Sequence, residues 1–193
     1  MSRLMRSLSR TLCAGLPVPF FVRPFARVLY FSGVVVAEAG RLLYAWLVVS
    51  PVVKSIASVG PGLRIERIPY IRGRGRVTIG ADVYISGKIG IAFSRHAASP
   101  PELKVGDRTF VGHQCAFSAA GGIRIGNDCL IGSGVRIQDN DGHPLDPVRR
   151  QAKEPVDAAD VKPVHIADNV WIAPGAVILK GVTIGRNSIV GAA

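Results

Sequence analysis

The sequence predicts an all-β fold, a parallel solenoid preceded by an N-terminal helical segment and interrupted by one extruded loop. Three observations predict it. Apolar residues recur every six positions over the last two thirds of the chain. Glycine is abundant at 22 of 193 residues while aromatics are only 7%. The first 58 residues lack the repeat, have few turn signals after Pro24, and are instead rich in large apolar side chains. Many tight corners around a narrow interior suit such a composition better than a helix bundle does. With 48% apolar residues, disorder is not expected.

The N-terminal segment, residues 1–58, carries two apolar runs, Val28–Ala37 and Leu42–Val49. Neither reaches the roughly 20 residues that span a bilayer. Glu38 and Arg41 lie between them, three apart, and would be neighbours on a helix. Residues 1–60 hold seven basic residues against one acid. The expectation is basic, apolar helices lying in a membrane interface or packed on the next domain, with a transmembrane hairpin as the alternative. No clean apolar core leads to a small-residue cleavage site, so a signal peptide is not expected.

Of the formal net charge of +11, Arg64, Arg67, Arg72, Arg74 and Arg76 form a further basic stretch. An anionic membrane surface or a phosphate-bearing ligand could use it. A nucleic-acid partner is not expected, because no aromatic interleaving, zinc-finger or helix-turn-helix pattern accompanies the charge. Three cysteines, Cys13, Cys115 and Cys129, show no CxxC spacing, which fits a reducing cytoplasm without disulfides or a zinc site.

The solenoid domain is expected over residues 59–193. Ile79, Ile85 and Ile91 form one series, Val105, Val111 and Phe117 a second, and Ile125, Ile131 and Ile137 a third. Ile166, Ile172, Ile178, Ile184 and Val190 form the last. The residue after an anchor is often Gly or Ala, and the fourth is small or β-branched, including Cys115 and Cys129. Six residues suit a short strand and a corner, and three such sides close a triangular coil whose anchors stack inside. Periodicity alone does not give the hand of the coil.

Between residues 142 and 163 the repeat vanishes into a polar, proline-rich segment, expected to leave the solenoid wall as a loop. Loops of this length in a compact repeat are usually functional. A shorter interruption, Ala92–Leu103, contains His96. The chain stops at Ala193 within a hexad, so the expected reading is a chain ending before its natural C-terminus, or an end covered by a partner.

At the loop mouth, counting hexads places Asp141 in a small-residue slot and His143 in an anchor slot, with Asp139 just before. A histidine with a nearby carboxylate is the minimum equipment for general-base catalysis. The catalytic candidates are therefore His143 as base, with Asp141 or Asp139 to orient it.

The segment DGHPLDPVRR, followed by KPVHIADNVWIAPGAVILKGVTIGRNSIVGA, resembles the hexapeptide-repeat O-acetyltransferases, which include maltose, galactoside and nodulation-factor acetyltransferases. The resemblance covers about residues 63–193. The Asp139-x-Asp141-x-His143 spelling looks more like the polysaccharide-biosynthesis branch. What the resemblance implies is a left-handed parallel β-helix and a homotrimer with active sites between subunits. It implies acetyl-CoA as co-substrate, no metal, and a sugar or glycan hydroxyl as acceptor, in exopolysaccharide, capsule or lipopolysaccharide synthesis. It also implies that Trp171 lines the subunit junction and that the backbone near Ala173, Pro174 and Ala192 contacts CoA. The expected place is the cytoplasm, with the basic, apolar N-terminus expected to allow peripheral association at the inner face of the cytoplasmic membrane. The alternatives are a non-catalytic solenoid scaffold and, with less support from the histidine spacing, a γ-type carbonic anhydrase.

Overall fold

The structure is a computed structural model that describes residues 20–95, 97 and 99–192. Its contacts divide the chain into two compact units, residues 1–42 and 43–193. Cys13 and His96 lie outside the described residues.

Helix α1 spans Arg23–Tyr44 and has no buried residue. A π-helical turn, Ala45–Val49, and helix α2, Ser50–Ile56, follow it without a break. The two apolar runs are thus one continuous helix, Arg23–Ile56, rather than separate helices, and it is long and apolar enough to cross a membrane by length and composition. Nothing between the runs stops a helix: Glu38 and Arg41 pair through two side-chain hydrogen bonds, one of them Arg41 Nε to Glu38 Oε2 at 2.9 Å. Val49 and Val53 are buried and belong to the solenoid core. The solenoid unit therefore starts before its first strand, within the segment expected to be separate.

The solenoid winds six coils of three short strands, the last coil lacking its third. Face A holds β1 (Ser58–Val59), β4 (Arg76–Ile79), β7 (Glu102–Val105), β10 (Gly122–Ile125), β13 (Val164–Ile166) and β16 (Thr183–Ile184). Face B holds β2 (Arg64–Ile65), β5 (Tyr84–Ile85), β8 (Phe110–Val111), β11 (Leu130–Ile131), β14 (Trp171–Ile172) and β17 (Ile189–Val190). Face C holds β3 (Tyr70–Arg72), β6 (Gly90–Phe93), β9 (Ala116–Ala119), β12 (Arg136–Gln138) and β15 (Val177–Ile178). Every pairing is parallel, each strand bonding its counterpart one coil away.

The anchors stack as the six-residue period requires. Val105, Ile125 and Ile166 lie in register on face A, Val111, Ile131 and Ile172 on face B, and Phe117, Ile137 and Ile178 on face C. All are buried. The small slots are filled by Val83, Thr109, Cys115, Cys129, Val135, Val170 and Ala176, also buried.

Corners explain the glycine and the Asx residues. Between faces A and B the backbone takes positive φ at Asp82, Arg108, Asp128, Asn169 and Asn187, a conformation that Asn and Asp tolerate better than most residues. Side chains then ladder the same edge: Asp107 accepts from Ala81 N, Asn127 from Asp107 N, and Asp168 from Asn127 N, each at 2.8 Å. Gly106 is required beneath this ladder, since a Cβ there would lie 2.5 Å from Asn127 Oδ1.

Candidate active site

The edge joining face C to face A carries both interruptions of the repeat. In the uninterrupted coil the chain crosses from β9 to β10 through Ala120–Gly121. One coil later it leaves after β12 and returns at β13. Asp139 closes the gap. Its backbone N–H donates to Ser118 O at 3.1 Å and its carbonyl accepts from Lys162 N at 2.9 Å, so the outgoing and returning arms meet at one residue. Its carboxylate accepts from Ala120 N at 2.7 Å, Gly121 N at 2.8 Å and Gly122 N at 2.6 Å, and from Asn140 Nδ2 at 2.9 Å. Asn140 in turn accepts from Gly142 N at 2.9 Å, which turns the chain outward.

This geometry corrects the hexad count across the corner. One coil before the loop, the C-to-A crossing from Phe117 to Ile125 uses two residues more than the other two corners, and β12 leaves in the same register as β9. The inward-facing acid is consequently Asp139, fully buried, whereas Asp141 is half-buried and His143 is exposed on the loop rather than in an anchor slot. Asp139 spends its carboxylate on backbone donors and is a staple of the loop base. Asp141 does not orient His143 within the chain: its Oδ2 accepts from Lys180 Nζ at 2.5 Å. Asp160 Oδ1 lies 3.7 Å from the same ammonium. The hydrogen bond to Asp141 raises the Lys180 pKa above its ordinary value.

Beyond His143 the loop has its own structure. Helix α3, Pro147–Gln151, starts on Asp146, whose side chain accepts from Arg149 N at 2.9 Å. An Asx residue at the N-cap and Pro in the first turn favour this start. Arg149 binds Asp157 through both Nη atoms, at 2.5 and 2.9 Å, and Glu154 through Nε at 2.7 Å. The same hydrogen bonds hold the Asp157 pKa below its usual range. Arg150 donates to Pro144 O at 3.2 Å and Leu145 O at 2.9 Å, immediately after His143. Pro144 itself is buried and restricts the backbone before it. His143 thus sits on an organised turn with no hydrogen-bond or ion-pair partner among the described residues, its imidazole free to meet a ligand.

The residues expected to hold CoA lie elsewhere on the prism. Trp171 is exposed on face B, and Ala173 and Pro174 form the corner from face B to face C. Ala192 follows β17 on that same corner one coil on, and is exposed. Within one chain, then, the His143 loop and the Trp171 corner stand on different edges. Sequence reasoning missed Lys180, whose partner Asp141 is 39 positions away. His113 is on the face B to face C edge and its Nδ1 lies 3.0 Å from Ser133 Oγ. Among the described residues no group of three or more His, Cys, Asp and Glu side chains is gathered as a metal ion would need.

Two family models match the solenoid. The bacterial transferase hexapeptide (six repeats) matches residues 163–192, and the hexapeptide repeat of succinyl-transferase matches residues 102–138. The chain is 40% identical over 70 residues to galactoside O-acetyltransferase of Lactococcus lactis, covering 36% of this chain and 31% of that one. It is 36% identical over 81 residues to nodulation protein L of Rhizobium leguminosarum, covering 42% of this chain and 40% of that one. The matched part is thus less than half the length of these relatives. A solved hexapeptide-repeat-containing acetyltransferase from Vibrio cholerae, complexed with acetyl coenzyme A, is 25% identical. It superposes with a TM-score of 0.49, covering 81% of this chain and 72% of that one.

Proposed function

We propose that the chain, which matches hexapeptide-repeat transferase models over residues 102–138 and 163–192, is a hexapeptide-repeat acetyltransferase with a left-handed parallel β-helix, and that it transfers the acetyl group of acetyl-CoA to a hydroxyl of a sugar or glycan. The observation that carries this reading is His143, an exposed imidazole on a loop folded by Arg149 and Arg150 and stapled to the β-helix by Asp139. A sugar hydroxyl is a poor nucleophile at neutral pH unless a base takes its proton during attack. The imidazole accepts that proton, the alkoxide oxygen bonds to the thioester carbon, the C–S bond breaks, and the proton passes to the departing CoA sulfur.

The catalytic unit in this proposal is a homotrimer. The support is the separation of the His143 loop from the Trp171, Ala173 and Pro174 corner within one chain. A site that uses both is completed by setting one chain's loop against a neighbour's corner. The enzyme works in the cytoplasm, held at the membrane by the helix Arg23–Ile56, and its acceptor belongs to polysaccharide synthesis. The basic, apolar N-terminus supports that placement.

The test is release of free thiol from acetyl-CoA in the presence of a panel of mono- and oligosaccharides, with mass detection of the acetylated product. Acceptor-dependent thiol release with a product heavier by one acetyl group supports the reading. No turnover with any acceptor, from a protein that is folded and binds no CoA, overturns it in favour of a scaffold.

A further inference from the structure

We propose that Arg74, Arg76 and Arg95 form a subsite for a phosphate or carboxylate group of the acceptor, so that the sugar acetylated by this protein is an anionic one. The inference rests on the acetyltransferase reading for its substrate and on the geometry of one cleft for its chemistry. The cleft has a volume of about 740 Å³ and lies where the chain crosses from face C to face A in the first and second coils.

The local sequence builds the cleft floor. Arg72-Gly73-Arg74-Gly75-Arg76 alternates arginine with glycine at the turn from β3 to β4. The glycines face Phe93. A Cβ on Gly75 would meet the Phe93 ring at 2.4 Å, and a Cβ on Gly73, at φ +86°, would meet Phe93 O at 2.2 Å. The backbone therefore lies flat on the coil below, and Arg74 and Arg76 are left exposed. Arg95 comes from the next crossing to line the same cleft.

The charge in this cleft is uncompensated. Some guanidiniums elsewhere are paired, Arg41 with Glu38, Arg108 with Asp128, Arg149 with Glu154 and Asp157, and Arg186 with Asp168, and others, such as Arg124 and Arg136, stand singly on the strands rather than grouped around one space. Arg74, Arg76 and Arg95 have no acidic partner among the described residues, and no acid lines the cleft. Glu102 stands in register with Arg76 on the neighbouring strand yet makes no ion pair with it. Three guanidiniums facing one space repel one another, and a bound anion relieves that repulsion while offering each a planar acceptor.

The position ties the cleft to the candidate active site. Both are on the face C to face A edge, and only the tight Ala120–Gly121 corner separates the Arg95 crossing from the His143 loop. Stacked coils are about 4.8 Å apart, so the two crossings are roughly 10 Å apart along the edge. That is the reach of one to two sugar or phosphate units. A sugar phosphate or acidic oligosaccharide with its charge at that distance from the reacting hydroxyl fits the arrangement, whereas a neutral monosaccharide does not use it.

The experiment compares full-length protein with the Arg74→Ala/Arg76→Ala/Arg95→Ala variant, both in a sugar-free polyoxyethylene detergent. Binding of glucose 1-phosphate, followed by phosphorus NMR, should weaken at least 10-fold in the variant. Acceptor KM should rise 10- to 100-fold for phosphorylated or acidic acceptors, with kcat, KM for acetyl-CoA and KM for matched neutral acceptors unchanged. Equal losses for neutral and anionic acceptors, or unchanged glucose 1-phosphate binding, would overturn the subsite. So would a variant that loses only its cosedimentation with phosphatidylglycerol vesicles, since the arginines would then serve the lipid surface. If the wild type binds glucose 1-phosphate through these arginines but acetylates nothing, the anion site stands and the acetyltransferase reading falls.

Discussion

Lys180 Nζ lies 2.5 Å from Asp141 Oδ2, which joins the corner after β15 to the outgoing arm of the loop one coil earlier. The same ammonium is 3.7 Å from Asp160 on the returning arm. One lysine thus bridges both arms of the segment that carries His143. Replacing it with methionine keeps the stem and removes the charge. The expected outcome is faster amide hydrogen exchange over residues 141–162 and a several-fold fall in turnover, with KM for acetyl-CoA unchanged and Lys180→Arg restoring both. The sign of the pH effect follows from the raised lysine pKa. A cation stabilised in the folded state contributes fully below its unfolded value of about 10.4 and loses that contribution as pH rises through the higher folded value. Loop protection should therefore be flat through neutral pH and fall only in strong alkali.

Asp139 makes a different prediction, one of stability. Its buried carboxylate satisfies three backbone N–H groups. Asp139→Ala leaves those donors without an acceptor, at a cost of about 3 kcal/mol or more. For a chain of this size that is a fall in Tm of roughly 6–12 °C. Thermal unfolding followed by circular dichroism checks it, and an Ala variant as stable as the wild type would remove the staple from the account.

The contrast between these residues shows what was legible in the sequence. Anchors such as Ile131, Ile137 and Ile172 were, because a six-residue period is a local property that the stacked coils repeat without exception on two of the three edges. The loop was legible as a break in that period. Across the third edge the count misled, because that crossing does not keep a fixed length, with eight positions from Phe117 to Ile125 and six from Ile178 to Ile184, so the register at the loop mouth shifts, placing Asp139 inside and His143 outside. Lys180 and the unpaired Arg95 carry no local signal at all. Lys180 is 39 positions from its partner Asp141, and only the stacking of coils brings the two together. The joining of the two apolar runs into one helix was also hidden, since the Glu38–Arg41 pair reads as a break in hydropathy but is compatible with continuous helix.

The small-slot cysteines should be inert. Burial pushes the Cys115 thiol up to about 11 and raises that of Cys129 as well. At pH 8 the thiolate fraction of Cys115 is then roughly one in a thousand. In a Cys13→Ser background, a chromogenic disulfide reagent should label neither cysteine over minutes at pH 8 and both after denaturation. Rapid labelling of the native protein would contradict the assignment of these thiols to the core.

The boundary of the folded unit is testable by truncation. Val49 and Val53 are buried in the solenoid core although they precede its first strand. A protein lacking residues 1–42 should keep the stability of the β-helix. One lacking residues 1–58 loses the burial of both valines, about 3 kcal/mol together at roughly 1.5 kcal/mol each. Denaturant midpoints for the two truncations decide it, and equal midpoints would show that α2 adds nothing to the core.

The most direct measurement is on His143→Ala, with turnover and acetyl-CoA affinity determined on one preparation. The imidazole takes the acceptor proton in this account, and general-base catalysis of that kind contributes roughly 10²–10⁴-fold. The predicted result is a loss of turnover of that size with acetyl-CoA affinity unchanged, and with His113→Ala and His165→Ala far less affected. Normal turnover in His143→Ala would contradict the assignment of the base and, with it, the site built around the loop.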